Sequence, residues 1–394
     1  MGLNNTVSAE RIHIGIFGSR NAGKSSIINA ITNQNIAIVS DTPGTTTDPV
    51  KKAMELLPLG PVVIIDTPGI DDTGELGEMR VKKARQVLNY ADIAILVVDA
   101  TIGIDDKDTM LVELFNKKNI PYLIVYNKSD LLDNVPNDTN EAIYVSAKTK
   151  ENIELLKERI ANISVKNENK KILSDIVSKG DMVVLVIPID SSAPKERIIL
   201  PQQQTIRELL EVGATIIISG DDNLRETLDK LSVKPKLVIT DSQVFGKVNK
   251  IVPEDVMLTS FSILFARYKG NLETLVEGAN AIKKIKDGDT ILISEGCTHH
   301  RQCEDIGSVK IPKWIKEYTN KDVKFEFTSG TEFPEDVSKY ALIIHCGGCM
   351  LNAREMHYRL EHAKDSGISI TNYGIAIAHL HGILKRSLEP FKEF

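Results

Sequence analysis

Four cysteines occur in the 394 residues, and all lie in the last hundred, as Cys297, Cys303, Cys346 and Cys349. Seven of the eight histidines also lie at or beyond position 299, so thiolate and imidazole donors are concentrated in one part of the chain. Cys297-Thr298-His299-His300 follows the apolar run TILIS and Glu295-Gly296, while His345-Cys346-Gly347-Gly348-Cys349 closes the run ALIIH. The two glycines allow a tight turn that points both sulfurs one way. Three soft thiolates, Cys297, Cys346 and Cys349, suit zinc or an iron–sulfur cluster. A fourth protein ligand would close the site, whereas three leave a position for an exchangeable group. His299 and His345 are candidates for that fourth position or for hydrogen bonds to the ligands. Cys303 is either a fourth ligand or a free thiol on the following loop or helix, and the second is favoured. His300, His357, His362, His379 and His381 read as surface or core histidines. A Cys346–Cys349 disulfide is the competing reading; it leaves Cys297 unexplained.

The other end of the chain carries phosphate-binding chemistry. Gly18-Ser19-Arg20-Asn21-Ala22-Gly23-Lys24-Ser25 lies between a β-branched run and the helical sequence IINAIT, with Ser26 next. Its glycines let backbone N–H groups converge on phosphates at a helix N-terminus. Lys24 would reach the β- and γ-phosphates and Ser25 would bind Mg²⁺. Asp66-Thr67-Pro68-Gly69 ends another run, where Asp66 can hold a Mg²⁺-bound water and the Gly69 N–H can sense the γ-phosphate. Asn127-Lys128-Ser129-Asp130 ends a third, and Asp130 can accept from guanine N1–H and the exocyclic amine, a pattern adenine lacks. Ser146-Ala147-Lys148 would close over the base. Each motif is short, but in this order, each after a strand, they make GTP or GDP the expected ligand.

Asp41 to Asp48 (DTPGTTTD) resembles the first switch of the tRNA-modification and ribosome-assembly GTPases, whose Gly-Thr-Thr motif supplies a Mg²⁺-binding threonine. That match selects Thr46, with Thr45 the alternative, and completes an expected catalytic set of Lys24, Thr46, Asp66 and Gly69. Asn21 matches the asparagine that holds K⁺ in potassium-activated members of that group, although it also suits the backbone of a tight loop. Ile70 stands where Ras-like proteins place a water-orienting glutamine, so hydrolysis is expected to be slow without K⁺ or a partner.

These sites need elements to hold them. From Arg11 to about Ile163, the runs IHIGIFG, VVIIDTPG, DIAILVVD, YLIVYNKSD and AIYVSAK alternate with amphipathic helical stretches. That alternation predicts a mostly parallel sheet covered on both faces, a Ras-like phosphate-loop GTPase domain over 1–165. The polar stretch 164–171 reads as a linker. Two further α/β domains with mostly parallel sheets are expected, over 172–266 and 267–394. Their strands are expected at 182–189, 215–219, 236–240, 256–263, 290–294, 323–327 and 341–345. Helices are expected at 202–212, 222–231, 271–284, 312–319, 350–365 and 375–386. If 290–294 and 341–345 are parallel in one sheet, both cysteine motifs emerge at its carboxyl edge, where open α/β sheets place ligands.

Formal net charge is −6, hydrophobic content 42% and charged content 26%, with no global basic field to recruit nucleic acid or an anionic membrane. No stretch approaches 18 consecutive apolar residues and the N-terminus has no run long enough for a signal peptide, so a cytoplasmic protein is expected. Cysteines in that compartment are metal ligands or redox groups more often than disulfides.

The pattern Cys297-x-His299, 45 intervening residues, then His345-Cys346-x-x-Cys349, joined to the GTPase motifs and to DTPGTTTDPV at 41–50, resembles the [FeFe]-hydrogenase maturation GTPases along the whole chain. The resemblance implies an N-terminal GTPase, a middle domain that forms a homodimer, and a C-terminal [4Fe–4S] domain with Cys297, Cys346 and Cys349 as ligands. It further implies a scaffold or carrier that holds a diiron precursor, built with two radical-SAM maturases, and delivers it to apo-[FeFe]-hydrogenase. Cys303 is not part of the family pattern, and the resemblance does not fix the fourth ligand. One rival is a tRNA-modification or ribosome-assembly GTPase with an appended zinc or iron–sulfur module. Aromatic content of 5% and the lack of a basic stripe with interleaved aromatics count against it. Another is a metal-insertion GTPase for a different metalloenzyme, with the same thiolates and no diiron cargo.

Overall fold

The computed structural model describes residues 8–33, 49–69, 75–163, 171–189, 198–296 and 305–391. The chain divides into two compact units, Met1–Asn167 and Glu168–Phe394.

The first unit is a Ras-like GTPase fold. Among the described residues its six strands are β1 (Ile12–Phe17), β2 (Val50–Leu56), β3 (Gly60–Asp66), β4 (Ile93–Asp99), β5 (Tyr122–Asn127) and β6 (Ala142–Tyr144). They run in the order β2-β3-β1-β4-β5-β6. All pairings are parallel except β2 with β3. Alternation along the strands loads both faces. Ile14, Ile16, Ile95, Val97 and Val125 pack on one side, toward helices Lys24–Thr32 and Ile153–Asn162. Phe17, Ile65, Leu96 and Val98 pack on the other, with Leu111 and Phe115 of helix Asp106–Lys117. β4 is buried on both faces from Ile93 to Val98, which is why it reads as an unbroken apolar run. Strand β2 escaped the sequence reading because it is an exposed edge whose Lys51 and Lys52 lack the apolar alternation of a half-buried strand.

The second unit holds two parallel four-stranded sheets. One has the order β10-β9-β7-β8, from β7 (Met182–Val186), β8 (Thr215–Ser219), β9 (Leu237–Thr240) and β10 (Met257–Ser260). The other has the order β12-β11-β13-β14, from β11 (Thr290–Ser294), β12 (Lys324–Thr328), β13 (Leu342–His345) and β14 (Ile370–Asn372). One hydrophobic core joins them: Val184 and Leu258 from the first sheet and Leu292 and Ile343 from the second share it with Phe261, Leu264 and Phe265 of helix Phe261–Lys269.

That helix corrects the strand expected over 256–263. Ser260 ends the strand and its Oγ accepts from the Ile263 N–H at 3.3 Å, capping a helix where the apolar pattern alone suggested continued extension. The helix expected over 375–386 is two, Tyr373–Leu380 and Leu384–Leu388, separated at Gly382 with φ +72°. The short strand β14 was not read from the sequence. It lies against helix Leu272–Ala279, where a Cβ on Gly278 would fall 1.8 Å from the Ile370 carbonyl oxygen.

Candidate functional site

The nucleotide motifs converge at the carboxyl ends of β1, β3, β5 and β6. The phosphate loop needs its two glycines for close approach. A Cβ on Gly18 would lie 2.1 Å from the Val97 carbonyl oxygen, and one on Gly23 would lie 2.1 Å from Asn127 Nδ2. Both have positive φ, and so does Asn21 at +63°, a conformation asparagine tolerates better than most side chains. The buried Lys24 Nζ donates to the carbonyls of Gly18 (3.0 Å) and Ser19 (2.9 Å). Ser25 Oγ donates to Asp66 Oδ2 at 3.0 Å. Burial pushes the Asp66 carboxyl above its ordinary range against the opposing pull of Lys24 and Ser25. A hydroxyl and a carboxylate in contact beside a lysine form a donor set that fits Mg²⁺. Gly69 lies against the loop, where an added Cβ would be 3.0 Å from Arg20 Cα.

Asn127 ties three motifs together. Its Nδ2 donates to the Ala22 carbonyl at 3.0 Å and its Oδ1 accepts from the Ala147 N–H at 3.1 Å. Ser146 Oγ donates to Asp130 Oδ1 at 2.7 Å and accepts from the Thr149 N–H at 3.1 Å. Lys128, at φ +68°, pairs with Asp99 Oδ2 at 2.5 Å, a partner that sequence reading missed because Asp99 belongs to no motif. Lys148 is exposed beside the half-buried Ala147. Ser26 follows Ser25 in the first turn of helix Lys24–Thr32. Thr45, Thr46 and Ile70 lie outside the described residues.

The cysteine motifs also share a sheet edge. β11 and β13 are parallel neighbours with Ser294 opposite His345, so Gly296 and Cys346 leave the sheet side by side. The Gly296 N–H donates to Cys346 Sγ at 2.9 Å and the Gly348 N–H to the same sulfur at 3.4 Å. Gly296 immediately precedes Cys297, which with His299, His300 and Cys303 lies outside the described residues. A Cβ on Gly296 would meet Leu351 Cγ at 2.9 Å and Gly348 Cα at 3.5 Å, whereas one on Gly347 would meet nothing within 4 Å. The turn is thus tight on its inner side and open at Gly347. Cys346 and Cys349 are free thiols, not a disulfide. Burial pushes the Cys346 thiol up to about 11, with the two glycine N–H groups opposing, and raises Cys349 as well. Among the described residues no group of three His, Cys, Asp or Glu side chains converges as a metal site.

His345 is wholly buried and its two nitrogens are committed to protein partners. Arg359 Nη1 stands 2.8 Å from Nε2 and the Cys346 carbonyl oxygen 2.7 Å from Nδ1. A guanidinium only donates, so Nε2 accepts and Nδ1 carries the proton toward Cys346. Burial first, then the Arg359 charge, lowers the imidazole pKa to about 3.

Sequence reading missed the side chains beneath this edge. Arg359 donates through Nε to Glu355 Oε1 at 2.9 Å, through Nη1 to Ser294 Oγ at 3.1 Å and through Nη2 to the Gly330 carbonyl at 2.8 Å. Tyr373 Oη donates to the buried Glu295 Oε1 at 3.1 Å. Lys269 Nζ donates to the carbonyls of Leu351 (3.0 Å), Cys349 (3.2 Å) and Gly348 (3.5 Å). The signals were weak: Glu355 and Arg359 look like an ordinary i,i+4 surface pair, and Lys269 like the basic end of a helix.

Comparison with known proteins divides the chain along the same lines. Residues 13–128 match a family described as 50S ribosome-binding GTPase. Residues 172–270 match the hydrogen maturase F dimerization domain and residues 273–390 the hydrogen maturase F tetramerization domain. The tRNA modification GTPase MnmE of Carboxydothermus hydrogenoformans is 32% identical over 244 residues, 55% of this chain and 50% of that protein. MnmE of Desulforamulus reducens is 37% identical over 162 residues, 39% of this chain and 34% of that protein. The chain therefore spans about half the length, or less, of these curated relatives. Among solved structures, an Era variant from Aquifex aeolicus bound to GDP and aluminium fluoride has a TM-score of 0.35 at 19% identity, covering 53% of this chain and 92% of that one. The bacterial selenocysteine-specific elongation factor EF-Sec has a TM-score of 0.33 at 21% identity, covering 46% of this chain and 33% of that one. Among the described residues no helix is long and apolar enough to cross a membrane.

Proposed function

We propose, because the chain belongs to the hydrogen maturase F family, that it is a GTP-hydrolysing scaffold for assembling the metal centre of [FeFe]-hydrogenase. In this reading Cys297, Cys346 and Cys349 hold a [4Fe–4S] cluster, a diiron precursor is the cargo, and apo-[FeFe]-hydrogenase receives it. The observation that carries the reading is the free Cys346 thiol at the end of β13, which takes two backbone N–H groups, one of them from the residue preceding Cys297. That donor set fits an iron–sulfur centre: soft sulfurs, amide donors aimed at a sulfur, and glycines that admit a bulky group. When bound, the cluster supplies iron that a bridging group of the cargo can reach. His345 acts from beside the site, its Nδ1–H holding the Cys346 carbonyl, so the fourth position is left to His299 or to an exchangeable group.

Ser25 and Thr46 hold Mg²⁺, Lys24 and Gly69 contact the γ-phosphate, and Asp130 selects guanine. K⁺ beside Asn21 supplies further positive charge, although the left-handed backbone there also accounts for asparagine. The nucleotide acts as a switch on the affinity for the radical-SAM maturases and the hydrogenase. The two matched domains support an assembly of several copies, and we read a homodimer as its basic unit. Cytoplasmic thiols would stay reduced and available for metal.

A tRNA-modification role finds support in the MnmE relatives, but those matches span at most about half of their length, and residues 172–390 carry the maturase domains. Maturation of [FeFe]-hydrogenase in a strain lacking this gene separates the readings. The wild-type gene restores hydrogenase activity in our reading and Cys346→Ser does not; full restoration by Cys346→Ser would refute the scaffold role.

A further inference from the structure

Resting on that reading of the cysteine site, we propose that Lys269 is a positioning residue for it, fastening the Cys346–Leu351 turn and supplying the buried positive charge that favours a thiolate-bound metal centre. Lys269 is the last residue of helix Phe261–Lys269 and is only 6% exposed. An ammonium has three N–H donors, and its Nζ reaches three carbonyls of one turn, those of Gly348, Cys349 and Leu351. Those carbonyls cannot all turn toward one cation unless the turn curls around it, and that curl carries Gly348 to φ +61° against Met356. The ammonium thus lies on the Cys349 carbonyl, at 3.2 Å, inside the turn that carries both cysteines.

The lysine and the turn come from different parts of the second unit. Lys269 lies in the segment matched as the dimerization domain, and the turn lies in the segment matched as the tetramerization domain. One side chain therefore links the strength of the metal site to the seating of one domain on the other. Its charge should act in one direction. A centre held by thiolates is anionic and becomes more so on reduction, so a buried cation favours both loading and reduction.

The test uses the full chain, reconstituted with iron and sulfide, as wild type, Lys269→Met and Lys269→Arg. Methionine keeps much of the stem and removes the charge; arginine keeps the charge. We expect Lys269→Met to shift the midpoint potential to more negative values and to speed iron release to a chelator about tenfold or more, with Lys269→Arg recovering the potential. A wild-type potential in Lys269→Met, whatever its release rate, would overturn the assignment. Should Lys269→Met fail to load, amide exchange of residues 346–351 in metal-free protein decides. Exchange faster by about tenfold, against wild-type exchange in the rest of the unit, sustains the fastening role, and unchanged exchange overturns it. If the wild type itself takes zinc and no iron, the scaffold reading fails, while the exchange experiment still decides what Lys269 does.

Discussion

The nucleotide site and the cysteine site are built on the same rule, ligands at the carboxyl edge of a parallel sheet, but they are stabilised differently. At the nucleotide site the motifs hold one another: Asn127 bonds to the phosphate loop and to Ala147, Ser146 to Asp130, and Ser25 to Asp66. At the cysteine edge most of the support comes from beneath, from Arg359 and Lys269 on helices that carry no ligand-binding signature, with His345 of the motif tied to Arg359. A site that braces itself can be read as a string of short words. One braced from below shows only its ligands in the sequence.

The contrast implies that each site should fail alone and by a different route. The largest expected effect is at the nucleotide. Lys24→Ala removes the charge we propose for the β- and γ-phosphates and should lower GTP turnover by about a thousandfold, while iron loading stays at the wild-type level. Loss of iron in that variant would show that the two sites are coupled.

Next is the buried guanidinium. Arg359→Met leaves the Glu355 carboxylate and His345 Nε2 without their main donor. It should destabilise the second unit by about 3–5 kcal/mol, seen in denaturant unfolding, with GTP turnover unchanged. A stability loss below about 1 kcal/mol would mean that the edge is not braced from Arg359.

A smaller and graded effect comes from pH. The His345 pKa is lowered from 6.5 to about 3, so the folded protein keeps it neutral while the unfolded chain takes up a proton. Its contribution is fully present above pH 6.5 and is lost as pH falls toward 3. The slope is at most about 1.4 kcal/mol per pH unit. Unfolding of metal-free wild type and His345→Gln should diverge in pH dependence across that window. Parallel curves would remove His345 from the bracing network.

How far the sequence could be read follows the same division. Strand runs such as Ile93–Val98 and Ile291–Ile293 announce themselves because burial on both faces makes them continuously apolar. The convergence of Gly296 and Cys346 was predictable once their strands were taken as parallel. Strand β2 was hidden by its lysines, and the strand-to-helix change at Ser260 depends on one cap inside an apolar stretch. Arg359 and Lys269 could not be found from local pattern, since only long-range packing distinguishes a buried charge from a solvated one. His345 was legible as chemistry but not as a role, because the partner of its Nε2 lies 14 residues away on a helix.

In the proposed function the thiolates hold an iron–sulfur centre independently of the nucleotide site. Iron, sulfide and zinc should be measured per chain after anaerobic reconstitution of wild type and of Cys297→Ser, Cys346→Ser and Cys349→Ser, with GTP turnover assayed on the same samples. About four irons and four sulfides are expected in the wild type, with loss of most of that iron in each serine variant and unchanged turnover throughout. Colourless wild-type protein with stoichiometric zinc, or serine variants that keep their iron, would contradict it.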